Sequence, residues 1–278
     1  MNMKNISLGI ILLLLVVLVF GITSCIKGEP LKGETAPESL EPMQLETSQV
    51  DVTADLKKEL GTLAGVTLRA NDSIHLDVPL IDQMDNDEEG ERLLFNGCEV
   101  TSMAMLLQSV GSDVTKEALA EVIKKVPLWT FDGEERVYGN PDEGFVGSLD
   151  SQDGEEGYSV YHGPVVTAAR SLIAASGLKV IDLTGRDFDD VLKELISGHA
   201  VWCITTVNFA PTENWEIWKT DVGPMGISWD IHSVVLVGFD DQFVYINDPY
   251  GDKGVAYDRQ DFKAAWEQMG SQAVVAHS

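Results

Sequence analysis

His232–Tyr250 reads HSVVLVGFDDQFVYINDPY, two apolar, β-branched and aromatic runs joined by a pair of aspartates. Such runs are strand signals, and a tight turn at Asp240-Asp241 folds them into an antiparallel hairpin. With the hairpin centred on Asp240, residues whose numbers sum to 480 face each other, and His232 stands opposite Asp248. Opposite positions in an antiparallel pair project to one side, close enough to hydrogen-bond. A slip of one residue would send the two side chains to opposite faces. The stretch therefore predicts an antiparallel sheet and, at its end, an imidazole oriented by a carboxylate. The plainer alternative is two ordinary strand ends with Asp-Pro-Tyr as a turn.

Outward from this hairpin, AVWCITTV (200–207) and QAVVA (272–276) read as further strands, and SIHLDVPLI (73–81) as a first strand. Helices precede most of them. Val100, Met103, Ala104 and Leu107 follow the i, i+3, i+4, i+7 rhythm of a one-sided helix within Phe95–Gly111, FNGCEVTSMAMLLQSVG. Asn96 is placed to cap that helix, Glu99 to return the cap, and Gly111 to stop it. A second helix is expected in TKEALAEVIKKV (115–126), stopped by Pro127. Pro164 and Gly177 bracket a third, and DFDDVLKELISG (187–198) is a fourth. Helices first and antiparallel strands later make an α+β layout. One domain spans 73–278, of ordinary domain size.

The N-terminus has a different composition. Lys4 precedes an uncharged apolar run, ISLGIILLLLVVLVFGI (Ile6–Ile22), which ends in Thr-Ser-Cys. A positive start, an apolar core and small residues are the layout of an export signal. Ile22-Thr23-Ser24-Cys25 resembles a bacterial lipobox, which makes Cys25 the expected lipidation site; an uncleaved anchor is the alternative. Residues 26–72 are rich in Glu, Thr, Ser and Pro and read as a flexible acidic linker, with a short helix expected in 54–65. Either form of attachment puts the domain at the outer face of the cytoplasmic membrane.

Formal net charge is −26, from 45 acidic and 19 basic residues. No basic patch is available to neutralise phosphates, so nucleic acid is not an expected partner. An anionic membrane surface would repel the domain, which leaves attachment to the N-terminus. A monomer without cofactor or metal is expected.

Of three cysteines, Cys203 lies inside a strand of core character, whereas Cys98 starts a helix. Unpaired N–H groups and the helix dipole there favour a thiolate, the reactive form. Glu99 opposes this unless it turns back to cap the helix. A thiolate nucleophile needs a base, and the base an orienting partner. Of the five histidines (His75, His162, His199, His232 and His277), only His232 has such a partner in prospect. It lies 134 residues after Cys98, within the separation of about 130–150 found in papain-like enzymes.

At this point a family resemblance becomes explicit. VPLIDQ, NGCEVTSMAMLL, NPDEGFVG, GYSVYHGPV, HSVVLVGFD and YINDPY, in that order, resemble the stand-alone bacterial members of family thirty-nine of the cysteine peptidases. That family includes the double-glycine leader peptidases of bacteriocin exporters, and the likeness covers nearly all of 74–278. It implies a papain-like fold with a helical N-terminal part packed on an antiparallel sheet. It also implies a Cys-His-Asp triad of Cys98, His232 and Asp248, with Gln83 donating to the oxyanion, acting on a peptide or protein substrate. Hydrolysis and acyl transfer to an amine use the same triad, and a silent binding lipoprotein is the non-enzymatic alternative. An acidic insert, MDNDEEGERLLF (84–95), and the lack of a transporter segment set the chain apart, so the exporters' substrates do not carry over. Asp85, Asp87, Glu89 and Gly90 of the insert resemble the start of a calcium loop, but Asn96 stands where its bidentate glutamate belongs, and a solvated acidic loop is the expected reading. Trp202, Trp215, Trp218 and Trp229 are expected in the core in preference to a groove.

Overall fold

The computed structural model describes residues 73–85, 94–150 and 157–278. The export segment with Cys25, the linker, the helix expected in 54–65 and most of the acidic insert lie outside the described residues.

The longest strand shows why the sheet forms. β10 (Ile231–Phe239) is buried along its whole length, and so is its neighbour β7 (Val201–Thr206). Strands buried on both faces need cover on both sides, and their alternate side chains enter two separate cores. Trp202, Ile204, Val235 and Val237 point into one, and Val201, Cys203, Val234 and Leu236 into the other. The first core contains residues of α1 (Cys98–Ser109) and α3 (His162–Leu172). The second contains residues of α4 (Phe188–Ile196) and α5 (Arg259–Gln268). The result is an α+β arrangement of helices on an antiparallel sheet.

That sheet runs β12 (Asp252–Asp258), β11 (Phe243–Asp248), β10, β7, β13 (Ala273–His277), β6 (Lys179–Asp182), every pair antiparallel. β1 (Ile74–His75) pairs with the last two residues of β10. An added Cβ at Gly238 would meet the Ile74 carbonyl oxygen at 1.9 Å, so only glycine admits β1 there. Smaller pieces surround the sheet. β3 (Trp129–Asp132) with β4 (Glu135–Tyr138) and β8 (Glu216–Thr220) with β9 (Gly223–Ile227) form hairpins. The Tyr138 ring stacks on Trp218, 4.3 Å between centroids and 15° between planes, which joins one hairpin to the other.

Several local expectations change. The first strand covers only Ile74–His75. The second helix, α2 (Lys116–Val122), is capped by Thr115, but ends before Lys125–Val126, which form a short strand β2 parallel to β5 (Phe145–Val146). Val126 thus meets Val146 and leaves the helix. At α1 the cap residue is Gly97, and no side chain caps the helix. Asn96 turns away, its Nδ2 donating to the Ser148 carbonyl at 3.0 Å. Gly111 does lie just past the helix end, at φ +88°. The tryptophans divide: Trp202 and Trp218 are buried, whereas Trp215 and Trp229 are 39 and 42% exposed. Among the described residues no helix is long and apolar enough to cross a membrane.

Candidate active site

α1 is held against β10 close to His232. The Ser102 hydroxyl, one turn after Cys98, donates to the Ser233 carbonyl at 3.0 Å. The Trp202 indole of β7 donates to the Glu99 carbonyl at 3.0 Å. These two bonds bring the first turn of α1 to the strand that carries His232. The Ser233 main chain then lies beside the Cys98 thiol, on the side that favours the thiolate.

His232 Nε2 and Asp248 Oδ1 lie 2.9 Å apart, both residues buried. The ladder register differs from the expected one. Val235 pairs with Asn247 and Leu236 with Ile246, so the numbers sum to 482, and a bulge follows before Gly238. Continued to its end, that register places Asp248 opposite Val234, two residues from His232. A shift of two keeps both side chains on one face, and the pair bonds diagonally. The Tyr250 ring stacks on the imidazole, 4.7 Å between centroids and 11° between planes. The Tyr250 N–H also donates to Asp248 Oδ1 at 2.9 Å. With Nε2 occupied, Nδ1 of His232 is buried and has no hydrogen-bond partner among the described residues.

Glu99 does not cap its helix. Its carboxylate is buried, accepts a short hydrogen bond from the Ser159 hydroxyl and another from the Val160 N–H at 3.3 Å. Burial raises its pKa, and the bonds from Ser159 and Val160 oppose the rise only in part. The same surroundings reverse the acidity expected of Cys98. Cys98 is half-buried, and the protein atoms crowded around its thiol, with the neighbouring Glu99 charge second, push it above the ordinary cysteine value, while the Ser233 main chain recovers only part of this. Tyr250 is pushed up to about 12, first by burial and then by the negative charges that Cys98, Asp248 and Glu99 can carry. Cys203 is a buried core residue with its thiol pushed up by burial alone, and neither it nor Cys98 is in a disulfide.

Gln83 is buried beside this group but turned inward. Its amide Nε2 donates to the Phe95 carbonyl at 2.9 Å and the Leu94 carbonyl at 3.2 Å. Its backbone N–H donates to the Pro249 carbonyl at 2.8 Å. In this conformation it fastens the segment entering α1 to the loop after Asp248.

Sequence reasoning missed Tyr250 and the pair Ser159 and Val160. Tyr250 ends the quoted hairpin, two residues after Asp248, and that same-face spacing was the available signal. Nothing local marks Ser159, since its contact with Glu99 spans 60 residues.

An α+β sheet with a cysteine-headed helix against a His-Asp strand pair is the papain-like arrangement. Residues 75–274 match the family described as Peptidase_C39 like family. The chain is 44% identical over 228 residues to the uncharacterized protein YvpB of Bacillus subtilis (strain 168), covering 82% of each. It is also similar to the crystal structure of a candidate C39-like peptidase from Bacillus anthracis, with a TM-score of 0.67 and 39% identity, over 75% of this chain and 98% of that one. The chain belongs to the Peptidase_C39 like family.

Proposed function

We propose that the chain is a cysteine peptidase in which Cys98 is the nucleophile, His232 the base and Asp248 the residue that orients it. The observation that carries this reading is the 2.9 Å contact of His232 Nε2 with Asp248, which leaves Nδ1 buried and unpartnered on the strand whose next residue touches the Cys98 thiol. Asp248 selects the tautomer with the proton on Nε2, so Nδ1 carries the lone pair.

In the proposed cycle Nδ1 takes the Cys98 proton as the sulfur attacks the substrate carbonyl. Because burial and Glu99 disfavour a free thiolate, this transfer accompanies the attack instead of preceding it. The imidazolium, stabilised by Asp248, then gives its proton to the leaving amine, and the C–N bond breaks to a thioester. Water adds to the thioester with its proton passing to Nδ1, and collapse returns that proton to the thiolate and frees the acid. The Cys98 backbone N–H, at the helix start, is one donor for the oxyanion. Gln83 supplies a second only if its amide leaves the Leu94 or Phe95 carbonyl.

The N-terminal sequence supports a tether on the outer face of the cytoplasmic membrane through lipidated Cys25. Mass spectrometry of the mature N-terminus tests that point separately.

The test of the activity is a peptide-library digestion read by mass spectrometry, with and without an added primary amine. Wild-type protein should give new termini, or amine adducts if transfer wins, and Cys98→Ala should give neither. Equal products from folded Cys98→Ala protein overturn the reading.

A further inference from the structure

At the other end of β7 from His232, three side chains converge that the peptidase chemistry does not use. β7 pairs Thr205 with His232, and His199 precedes the opposite end of the same strand. At about 3.3 Å per residue the two places are roughly 20 Å apart. Glu194 comes from α4, His199 from the turn between α4 and β7, and His277 from the end of β13. Gly198, at φ +90°, makes that turn possible, and it brings the His199 N–H onto the Glu194 carbonyl at 2.9 Å. His199 Nδ1 lies 3.0 Å from Glu194 Oε2, and His277 Nε2 lies 3.1 Å from the same oxygen.

We infer that Glu194, His199 and His277 form a binding site for a divalent transition-metal ion, with zinc the ion it suits best. Two imidazoles and a carboxylate are the nitrogen and oxygen ligands that zinc takes, and borderline ions of this group share the preference. The spacing agrees. With metal–ligand bonds of about 2.0–2.1 Å, a tetrahedral ion holds neighbouring ligand atoms about 3.3 Å apart. The two Glu–His separations of 3.0 and 3.1 Å need only a few tenths of an ångström of adjustment. All three ligand atoms lie within 4.8 Å of one another, and the two imidazoles, 4.0 Å apart between centroids and 31° between planes, must turn apart to bring both lone pairs onto one ion. Without an ion, each imidazole can donate a proton to the shared oxygen. With one, each ring keeps its proton on its other nitrogen and turns a lone pair inward, so neither ring has to give up a proton. The ligands are 23–31% exposed, which leaves the fourth position open to water.

The ligands sit on well-anchored backbone. α4 is fixed by buried Val191, Leu192 and Leu195, and β13 is paired on both edges. An ion here ties α4, the start of β7 and the end of β13 together. It adds no group to the Cys98 site, so this inference stands or falls independently of the peptidase reading.

The test uses untagged full-length protein in detergent, carrying Cys98→Ala to remove a competing thiol. Cobalt(II) is titrated first and zinc second. One cobalt per chain with the visible absorption of a four-coordinate nitrogen and oxygen site is expected, displaced by zinc. The melting temperature should rise with the logarithm of zinc concentration. Adding His277→Ala should weaken binding at least tenfold and abolish the thermal shift. Glu194→Gln, which keeps a hydrogen-bond acceptor for both rings but loses the charge, should weaken binding too while preserving the fold. No stoichiometric binding at saturating metal, a bare hydrogen-bonded trio, overturns the inference. So does unchanged affinity in folded Glu194→Gln or His277→Ala protein.

Discussion

His232 and Asp248 are hydrogen-bonded at 2.9 Å although they are not partners in the β-ladder. Beyond the bulge, toward His232, the strand pair is offset by two residues from a register centred on Asp240, and an even offset preserves the face. The imidazole reaches diagonally, and Tyr250 closes over it.

This geometry separates two substitutions at Asp248. Asparagine can still accept from Nε2–H but loses the charge that stabilises an imidazolium. A charge-assisted bond is worth about 1.5–3 kcal/mol, so Asp248→Asn should lower kcat/KM by roughly 10- to 100-fold. Asp248→Ala also frees the Tyr250 N–H and the ring tautomer, and should be worse. Equal losses in the two variants would count against an orienting role.

Glu99 should restrain the Cys98 thiol. Its charge raises the thiol pKa, so Glu99→Gln should lower that pKa and speed alkylation of Cys98 near neutral pH. Iodoacetamide rates measured across pH for both proteins provide the check.

The same carboxyl also predicts a pH dependence of stability. Its folded pKa is raised, so the folded state holds the proton more tightly than the unfolded chain. Stability from this group is therefore present below the unfolded value and is lost as pH rises through the folded one. Relative to wild type, Glu99→Gln should gain melting temperature on going from about pH 4 to about pH 8. A constant difference between the two proteins across that range would contradict the assignment.

Tyr250 contributes its ring rather than its hydroxyl, since the face stacks on His232. Tyr250→Phe should keep near-normal kcat/KM. Tyr250→Ala should lose up to about tenfold, from a stacking contribution of about 0.5–1.5 kcal/mol. Steady-state kinetics on the peptide found by digestion will tell the two apart.

Gln83 carries a structural bond set whatever it does in catalysis. Gln83→Ala leaves the half-buried Phe95 carbonyl without its donor, whereas the Leu94 carbonyl keeps the Gly97 N–H, and should cost about 1 kcal/mol in denaturant unfolding. A loss of activity with unchanged stability would instead make it a donor to the oxyanion alone.

How much of this was legible beforehand depended on the range of the interaction. The hairpin strands, the one-sided helix at Cys98 and the buried character of Cys203 were readable because each is set by residues within a few positions. The cap of α1 and the end of α2 were misread, because Asn96 found Ser148 and Lys125–Val126 found Phe145–Val146, partners with no local signature. Trp215 and Trp229 were expected inside and lie half-exposed, since composition alone does not tell which aromatic rings a hairpin covers.

By itself, then, the order of residues determined the hairpin strands, the helix at Cys98, the α+β class and the candidates Cys98, His232 and Asp248, because periodicity and turn chemistry act locally. The helix Arg259–Gln268 and the small hairpins at Trp129–Tyr138 and Glu216–Ile227 were not read from it. The tertiary structure decided the acidity of Cys98, the partners of Glu99 and the inward turn of Gln83. The partners of Glu99 depend on the meeting of segments 60 or more residues apart, and the turn of Gln83 on carbonyls 11 and 12 residues along the chain. The acidity of Cys98 depends on how closely the folded chain surrounds its thiol, and a helix-start position alone fixes none of these.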